Sequence, residues 1–127
     1  MRTRDQRRAE AAFKRVQARD GSDQEADYKR FAKRFPALIL NAGLAQAVAF
    51  AESKPKNQAL LDDIASAIDE GSPRSSYALD VRTCGIERYQ WLTRETLAVA
   101  GWLKRYAEAL LRDPEEDEDT KGAPGDS

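Results

Sequence analysis

Apolar residues recur at helical spacing through most of the chain, and polar breaks divide them into five or six segments. Over residues 3–19, Ala9, Ala12, Phe13 and Val16 fall on one side of a first helix. The polar turn DGSDQEAD (20–27) follows, where Gly21 interrupts and Ser22 or Asp23 can serve as N-cap. A second helix runs to about Phe35 and turns Tyr28, Phe31, Ala32 and Phe35 inward. Residues 35–51, FPALILNAGLAQAVAFA, then carry no charge at all. Pro36 suits a first helical turn, so this run reads as a separate central helix covered by the others. Leu38, Ile39, Leu40, Leu44, Val48 and Phe50 give it bulk, and Gly43, Ala45, Ala47 and Ala49 allow close approach. Asn41 and Gln46 are its only amides and read as partnered packing residues.

After ESKPKN, a fourth helix covers about 55–70, with Leu60, Leu61, Ile64, Ala65 and Ile68 inward and Gly71 at its end. A short helix over 73–82 uses Tyr77, Ala78 and Val81, and Thr83-Cys84-Gly85 breaks it. The last helix is the longest, about Ile86 to Arg112. Tyr89, Leu92, Thr96, Val99, Leu103, Tyr106 and Leu110 line one side of it, and Trp91, Ala98 and Trp102 line a second. A helix apolar on two sides is either sandwiched, here by the first helix, or shared with another subunit, where Trp is enriched. No strand alternation and no internal repeat occurs. The pattern predicts an all-α, single-domain bundle of about five to six helices over 1–112. The uncharged run would span only ~25 Å as a helix, short of what a bilayer crossing needs, so no membrane role is expected.

Charge adds an asymmetry. The net charge of −1 combines a body, residues 1–112, of 20 Lys/Arg and 15 Asp/Glu with a segment, 113–127, of one Lys and seven acids. The latter reads by composition as a disordered acidic tail on a mildly basic domain. There is no histidine, which removes the usual general base and the commonest metal ligand. No Gly-rich phosphate loop, metal-ligand spacing or nucleophile–base pair is found, so no enzyme, metal or cofactor is expected. The basic N-terminus has no apolar run behind it, and Cys84 stands alone as a small inert filler. Both fit a reduced cytoplasm.

Cations cluster in two places. Arg4, Arg8, Arg15 and Arg19 form one stripe of the first helix, and residues 1–19 hold seven basic against two acidic residues. With so few acids nearby, the stripe can follow a phosphate backbone or meet solvent or a subunit. Lys29, Arg30, Lys33 and Arg34 are the densest basic cluster and form the polar face of the second helix.

Three strings occur together and in order: MRTRDQRRAEAAFKRV, FPALILNAGLAQAVAFAES and YQWLTRETLAVAGWLKRYAEALL. Their combination, above all P-x-L-I-x-x-x-G-L-x-Q-A-x-A-F with W-L-K-R-Y-A, resembles the small α-helical subunit of the type III-B CRISPR effector complex (the Cmr, or RAMP-module, complex). The likeness covers most of residues 2–112; the related type III-A small subunit matches these strings less well. The resemblance implies a non-catalytic antiviral scaffold. Copies stack head to tail beside RNA-binding backbone subunits, cover the guide–target duplex and help hold target RNA. It points to Arg15, Lys29, Arg30, Lys33, Arg34, Lys104 and Arg105 as RNA-binding, with Lys54 a further candidate, and to phosphate contacts without sequence preference. Trp91 and Trp102 are candidates for subunit contact. The alternative reading is a helical adaptor whose basic patch meets an acidic protein partner.

Overall fold

In the computed structural model, which describes residues 1–112, the chain forms six helices: α1 (Arg4–Arg19), α2 (Glu25–Ala42), α3 (Leu44–Glu52), α4 (Pro55–Ile68), α5 (Arg74–Thr83) and α6 (Ile86–Leu110). The described residues contain no strand. The acidic segment expected over 113–127 lies outside them. Thr3 starts α1 with a capping box: its Oγ1 accepts from the Gln6 N–H at 3.0 Å, and Gln6 Oε1 accepts from the Thr3 N–H at 2.8 Å.

The 25-residue α6 is the axis of the bundle. It packs chiefly on α1 and α2, while α4 closes the other side against α1, α2 and α3. α2 and α6 are antiparallel: Lys29 near the start of α2 reaches the Leu111 carbonyl, and Tyr89 near the start of α6 reaches Ala45 beyond the end of α2. The core between them is built from Val16, Tyr28, Phe35, Leu44, Leu60, Leu61, Ile64, Leu92 and Leu103, all essentially inaccessible. α6 is thus sandwiched. Leu92, Thr96, Val99 and Leu103 are buried, while Phe13 of α1 packs edge-on against Tyr106, with ring centroids 5.4 Å apart.

The uncharged run departs from expectation. It is not one helix beginning at Pro36. α2 continues through Pro36, and the break falls at Gly43. Proline removes one N–H from the ladder, but Phe35 and Ile39 on either side of it are both buried, and that packing carries the helix across the gap. Gly43, with φ 90° and ψ 159°, occupies a region essentially closed to residues with a Cβ. Its N–H donates to the Ile39 carbonyl at 2.8 Å and its carbonyl accepts from the Ala47 N–H at 3.1 Å, so one residue ends α2 and begins α3. The Tyr89 hydroxyl accepts from the Ala45 N–H at 3.0 Å and supplies the cap that α3 lacks in its own sequence.

The bend leaves only one stripe of the run facing inward. Leu44, Ala47, Val48 and Ala51 are buried, but Leu40 is 73% exposed, and Asn41, Ala42, Ala45, Gln46 and Ala49 are exposed as well. The reading of Asn41 and Gln46 as packing residues is therefore corrected: both amides meet solvent. The α2 cap also differs. Gln24 takes the N-cap position, and neither Ser22 nor Asp23 caps with its side chain. Instead the buried Glu25 carboxylate turns back and accepts from the Gly21 N–H at 3.1 Å.

Candidate nucleic-acid interface

Three of the four arginines of the α1 stripe have partners within the fold; Arg4 stays exposed. Arg19 donates through Nε and Nη2 to the two oxygens of Asp63 at 3.2 and 2.8 Å, and also to the Ala59 carbonyl at 3.3 Å. Asp63 is wholly buried and accepts a third bond from the Tyr28 hydroxyl at 2.6 Å. Three helices, α1, α2 and α4, thereby meet on one carboxylate. Burial tends to lower the Arg19 pKa, but its bonds to Asp63 outweigh this and hold it above the ordinary value. Burial first, and then the adjacent Asp63 charge, push the Tyr28 hydroxyl well above 10. Arg8 pairs with Glu95 of α6 and sits 3.5 Å from Asp5; the Glu95 bond chiefly raises its pKa. Arg15 donates to Ser66 and lies 3.9 Å from Asp63. Apart from Asp5, the acids that answer Arg8, Arg15 and Arg19 come from α4 and α6, so a count of charges within residues 1–19 could not find them.

Lys29 is likewise corrected. It is 6% exposed, and its Nζ donates to the Leu111 carbonyl at 3.0 Å. One turn before it, Glu25 accepts from the Arg112 N–H at 2.6 Å. The first turns of α2 thus grip the chain where it leaves α6. Lys29 is a clamp and presents no charge to an outside ligand.

The remaining cations of α2 stay outward. Arg30 and Arg34, four residues apart on one face, rim a cleft lined also by Asp27 and Phe31 of α2, by Phe50 of α3 and by Lys54, Lys56 and Asn57 at the start of α4. Arg30 pairs with Asp27 at 2.9 Å. The Arg34 guanidinium lies 5.9 Å from the Phe50 ring centroid and the Lys54 ammonium 5.6 Å, both in cation–π range. Phe50 also stacks on Phe31, with centroids 6.0 Å apart. Among the described residues, neither Arg34, Lys54 nor Lys56 forms an ion pair.

Two features mark this cluster. Lys54 and Lys56 occupy the N-cap and first turn of α4, the positive end of the helix, and that turn holds no acid. Cations are disfavoured there by about 0.3–1 kcal/mol each, so their placement works against local stability. The cleft encloses only about 40 Å³, room for water and not for a nucleobase. Its chemistry is that of an anion-binding rim.

Of the other candidates, Lys33 is half-buried on α2. Lys104 and Arg105 lie on α6, where Arg105 sits 6.0 Å over Trp102. The Trp102 ring stacks on Tyr106 at 5.7 Å and its indole N–H donates to Asp5 at 3.0 Å, so it is tied to α1 within the chain. Trp91 is half-buried beneath the Arg88 guanidinium, 4.7 Å from its ring centroid. The structure therefore groups Arg30, Arg34 and Lys54, takes Lys29 away, and leaves Lys104 and Arg105 on a separate helix. Sequence reasoning missed Lys56, although KPKN places it two residues from Lys54 and close to an early-helix proline.

No cluster of three or more potential metal ligands occurs among the described residues, and none of their helices is long and apolar enough to cross a membrane. Residues 4–110 match the family described as CRISPR-associated protein (Cas_Cmr5). A protein of Thermus thermophilus, the CRISPR system Cmr subunit Cmr5, is 36% identical over 115 residues, covering 89% of this chain and all of that protein. The crystal structure of a CRISPR-associated Cmr5 family protein, also from Thermus thermophilus, superposes with a TM-score of 0.83 over 88% of this chain and the whole of that one, at 36% identity. The bundle, its long last helix and the three strings that first suggested a type III-B small subunit agree with these matches, and the chain belongs to the Cmr5 family of CRISPR-associated proteins.

Proposed function

We propose that the chain is a non-catalytic small subunit of a Cmr-type, RNA-guided interference complex. It stacks with copies of itself and neighbouring subunits, and it holds guide and target RNA through phosphate contacts. The observation that carries the RNA reading is the division of its cations. Arg8, Arg15 and Arg19 of α1 are answered from within the fold, while Arg34, Lys54 and Lys56 gather around Phe50 with no acid of the described residues paired to them. Arg30 and Lys33 extend this rim along α2, Lys104 and Arg105 provide a second basic site on α6, and Arg15 contributes at its half-exposed edge. A rim too shallow for a base suits a ligand whose sequence is read elsewhere by pairing.

The test is target-RNA capture by the assembled complex carrying Arg34→Glu with Lys54→Glu, titrated with salt. Loss of two phosphate contacts should flatten the plot of log affinity against log salt by roughly two units. Arg94→Glu, an exposed change on α6, is the control. Capture and slope left unchanged by the double substitution would remove the cleft from the RNA path.

A further inference from the structure

The geometry points to a guanine-nucleotide site in a second groove, between α1 and the end of α4 that lies opposite Lys54 and Lys56. The two helices run antiparallel there: Arg15 donates to Ser66, and Arg19, one turn on, to Asp63. α4 stops at Ile68, so the first turns of α1 run on past it, and Ala11 and Ala67 make a floor without large side chains. The groove holds about 300 Å³, against about 40 Å³ for the Arg34/Lys54 cleft. That reaches the lower end of the roughly 300–1,000 Å³ typical of small-molecule sites. The inference goes beyond the phosphate contacts proposed above, because this groove has room for a base.

Its two walls differ in chemistry. α1 and the residues before it supply donors: Arg2, Arg7, Lys14 and Arg15 line the groove, with Arg7 and Lys14 seven residues apart, about 10 Å at the helical rise. Arg15 is held by Ser66, whose hydroxyl also accepts from the Gly71 N–H at 3.5 Å. Lys14 lies 3.6 Å from Glu10, whereas Arg2 and Arg7 form no ion pair among the described residues. The turn after α4 supplies an acceptor, the exposed Glu70 carboxylate, likewise outside any ion pair among the described residues. A ligand that satisfies both walls carries an anion at one end and hydrogen-bond donors at the other. A nucleotide does so, with its phosphate on Arg2, Arg7 and Lys14 and its base over Ala11 and Ala67. Only guanine sets two donors, N1–H and the 2-amino group, side by side on its Watson–Crick edge, where they match the two oxygens of one carboxylate. Adenine and cytosine place an acceptor beside their amino group, and uracil flanks its N–H with two carbonyls, so each turns an acceptor toward Glu70.

The test is an NMR titration of the full-length, ¹⁵N-labelled chain with guanosine monophosphate, uridine monophosphate and inorganic phosphate. Guanosine monophosphate should shift the amides of Ala11, Ala67 and Glu70 and bind about tenfold tighter than the other two, the low end of what one bidentate base contact discriminates. Glu70→Ala, an exposed change, should bring it down to the level of uridine monophosphate. Arg7→Glu with Lys14→Glu should weaken both nucleotides, and Ala11→Leu, which fills the floor without altering charge, should exclude both. Guanosine monophosphate no tighter than phosphate or uridine monophosphate, or indifferent to Glu70→Ala, would overturn the proposal. Shifts gathered at Phe50 and Lys56 instead would overturn it too and leave the Arg34/Lys54 cleft standing. Loss of RNA capture in the complex carrying Arg34→Glu and Lys54→Glu speaks only for that cleft, so the two readings fail separately. An oligouridine of about 12 residues, within the length such proteins track, with and without one guanosine, tells the source of the nucleotide. A gain in affinity from the guanosine that Glu70→Ala removes assigns the site to an unpaired base of a strand. Selective binding of the mononucleotide without that gain assigns it to a free nucleotide, and the absence of both refutes the site.

Discussion

Asp63 is the place where one atom group holds three helices, and its removal gives the sharpest test of how the bundle is stabilised. The carboxylate is fully buried and accepts from Arg19 twice and from Tyr28 once, with Arg15 at 3.9 Å. Asp63→Ala leaves the Arg19 charge without its counter-ion and the buried Tyr28 hydroxyl without an acceptor. Breaking a buried pair from one side costs about 3–5 kcal/mol. Arg19 keeps 26% side-chain exposure and can partly rehydrate, so the lower half of that range is expected. Tyr28→Phe removes a single bond and leaves the Arg19 pairing intact, so about 1 kcal/mol is expected there. Urea unfolding followed by circular dichroism would measure both. With a denaturant slope of roughly 1–3 kcal/mol per molar, Asp63→Ala should lower the midpoint by at least about 1 M. Combining Asp63→Ala with Arg19→Ala should cost less than the sum of the single changes by at least about 1 kcal/mol. A loss below about 1 kcal/mol for Asp63→Ala, or simple additivity with Arg19→Ala, would refute the view that this carboxylate ties α1, α2 and α4 together.

Gly43→Ala should destabilise by about 1–3 kcal/mol, because φ there is 90° although a Cβ would have space, 3.8 Å from the Tyr89 hydroxyl. Gly101→Ala, inside α6 with nothing within 4 Å, should stabilise by about 0.5–1 kcal/mol, and opposite shifts in Tm would check the pair. Lys29→Glu should cost about 3 kcal/mol or more by placing an acid in the buried clamp beside Glu25, whereas Lys33→Glu should stay within about 1 kcal/mol; urea midpoints distinguish them. Burial raises the hydroxyl pKa of both Tyr28 and Tyr77 in the folded state. The unfolded chain then releases these protons first, so stability holds below the ordinary value near 10 and is lost as pH rises through the folded values. The slope should approach about 1.4 kcal/mol per pH unit for each tyrosine, and Tyr77→Phe should roughly halve it in urea melts between pH 10 and 11.5.

Much of the architecture was legible because helical amphipathicity is local. Val16, Phe35, Leu61, Ile64, Leu92 and Leu103 announce themselves by spacing, and all are buried. The order and number of helices follow from Gly, Pro and polar breaks, and the family could be read from three strings. Boundaries set by competition were not legible. Pro36 is a strong local signal for a helix start, yet burial of Phe35 and Ile39 overrode it, and Gly43, mild by propensity, made the turn.

The cations show the same limit more clearly. Sequence alone determined that the body is basic, which residues carry the charge and which face of each helix they share. Only the tertiary structure decided which charges are spent inside. Arg19 and Arg8 face carboxylates 44 and 87 residues away, and Lys29 meets a carbonyl 82 residues away. Arg34 and Lys54 are 20 residues apart in sequence and converge on one phenylalanine. Periodicity reports which way a side chain points from its own helix, and the partner it meets depends on how that helix is laid against another.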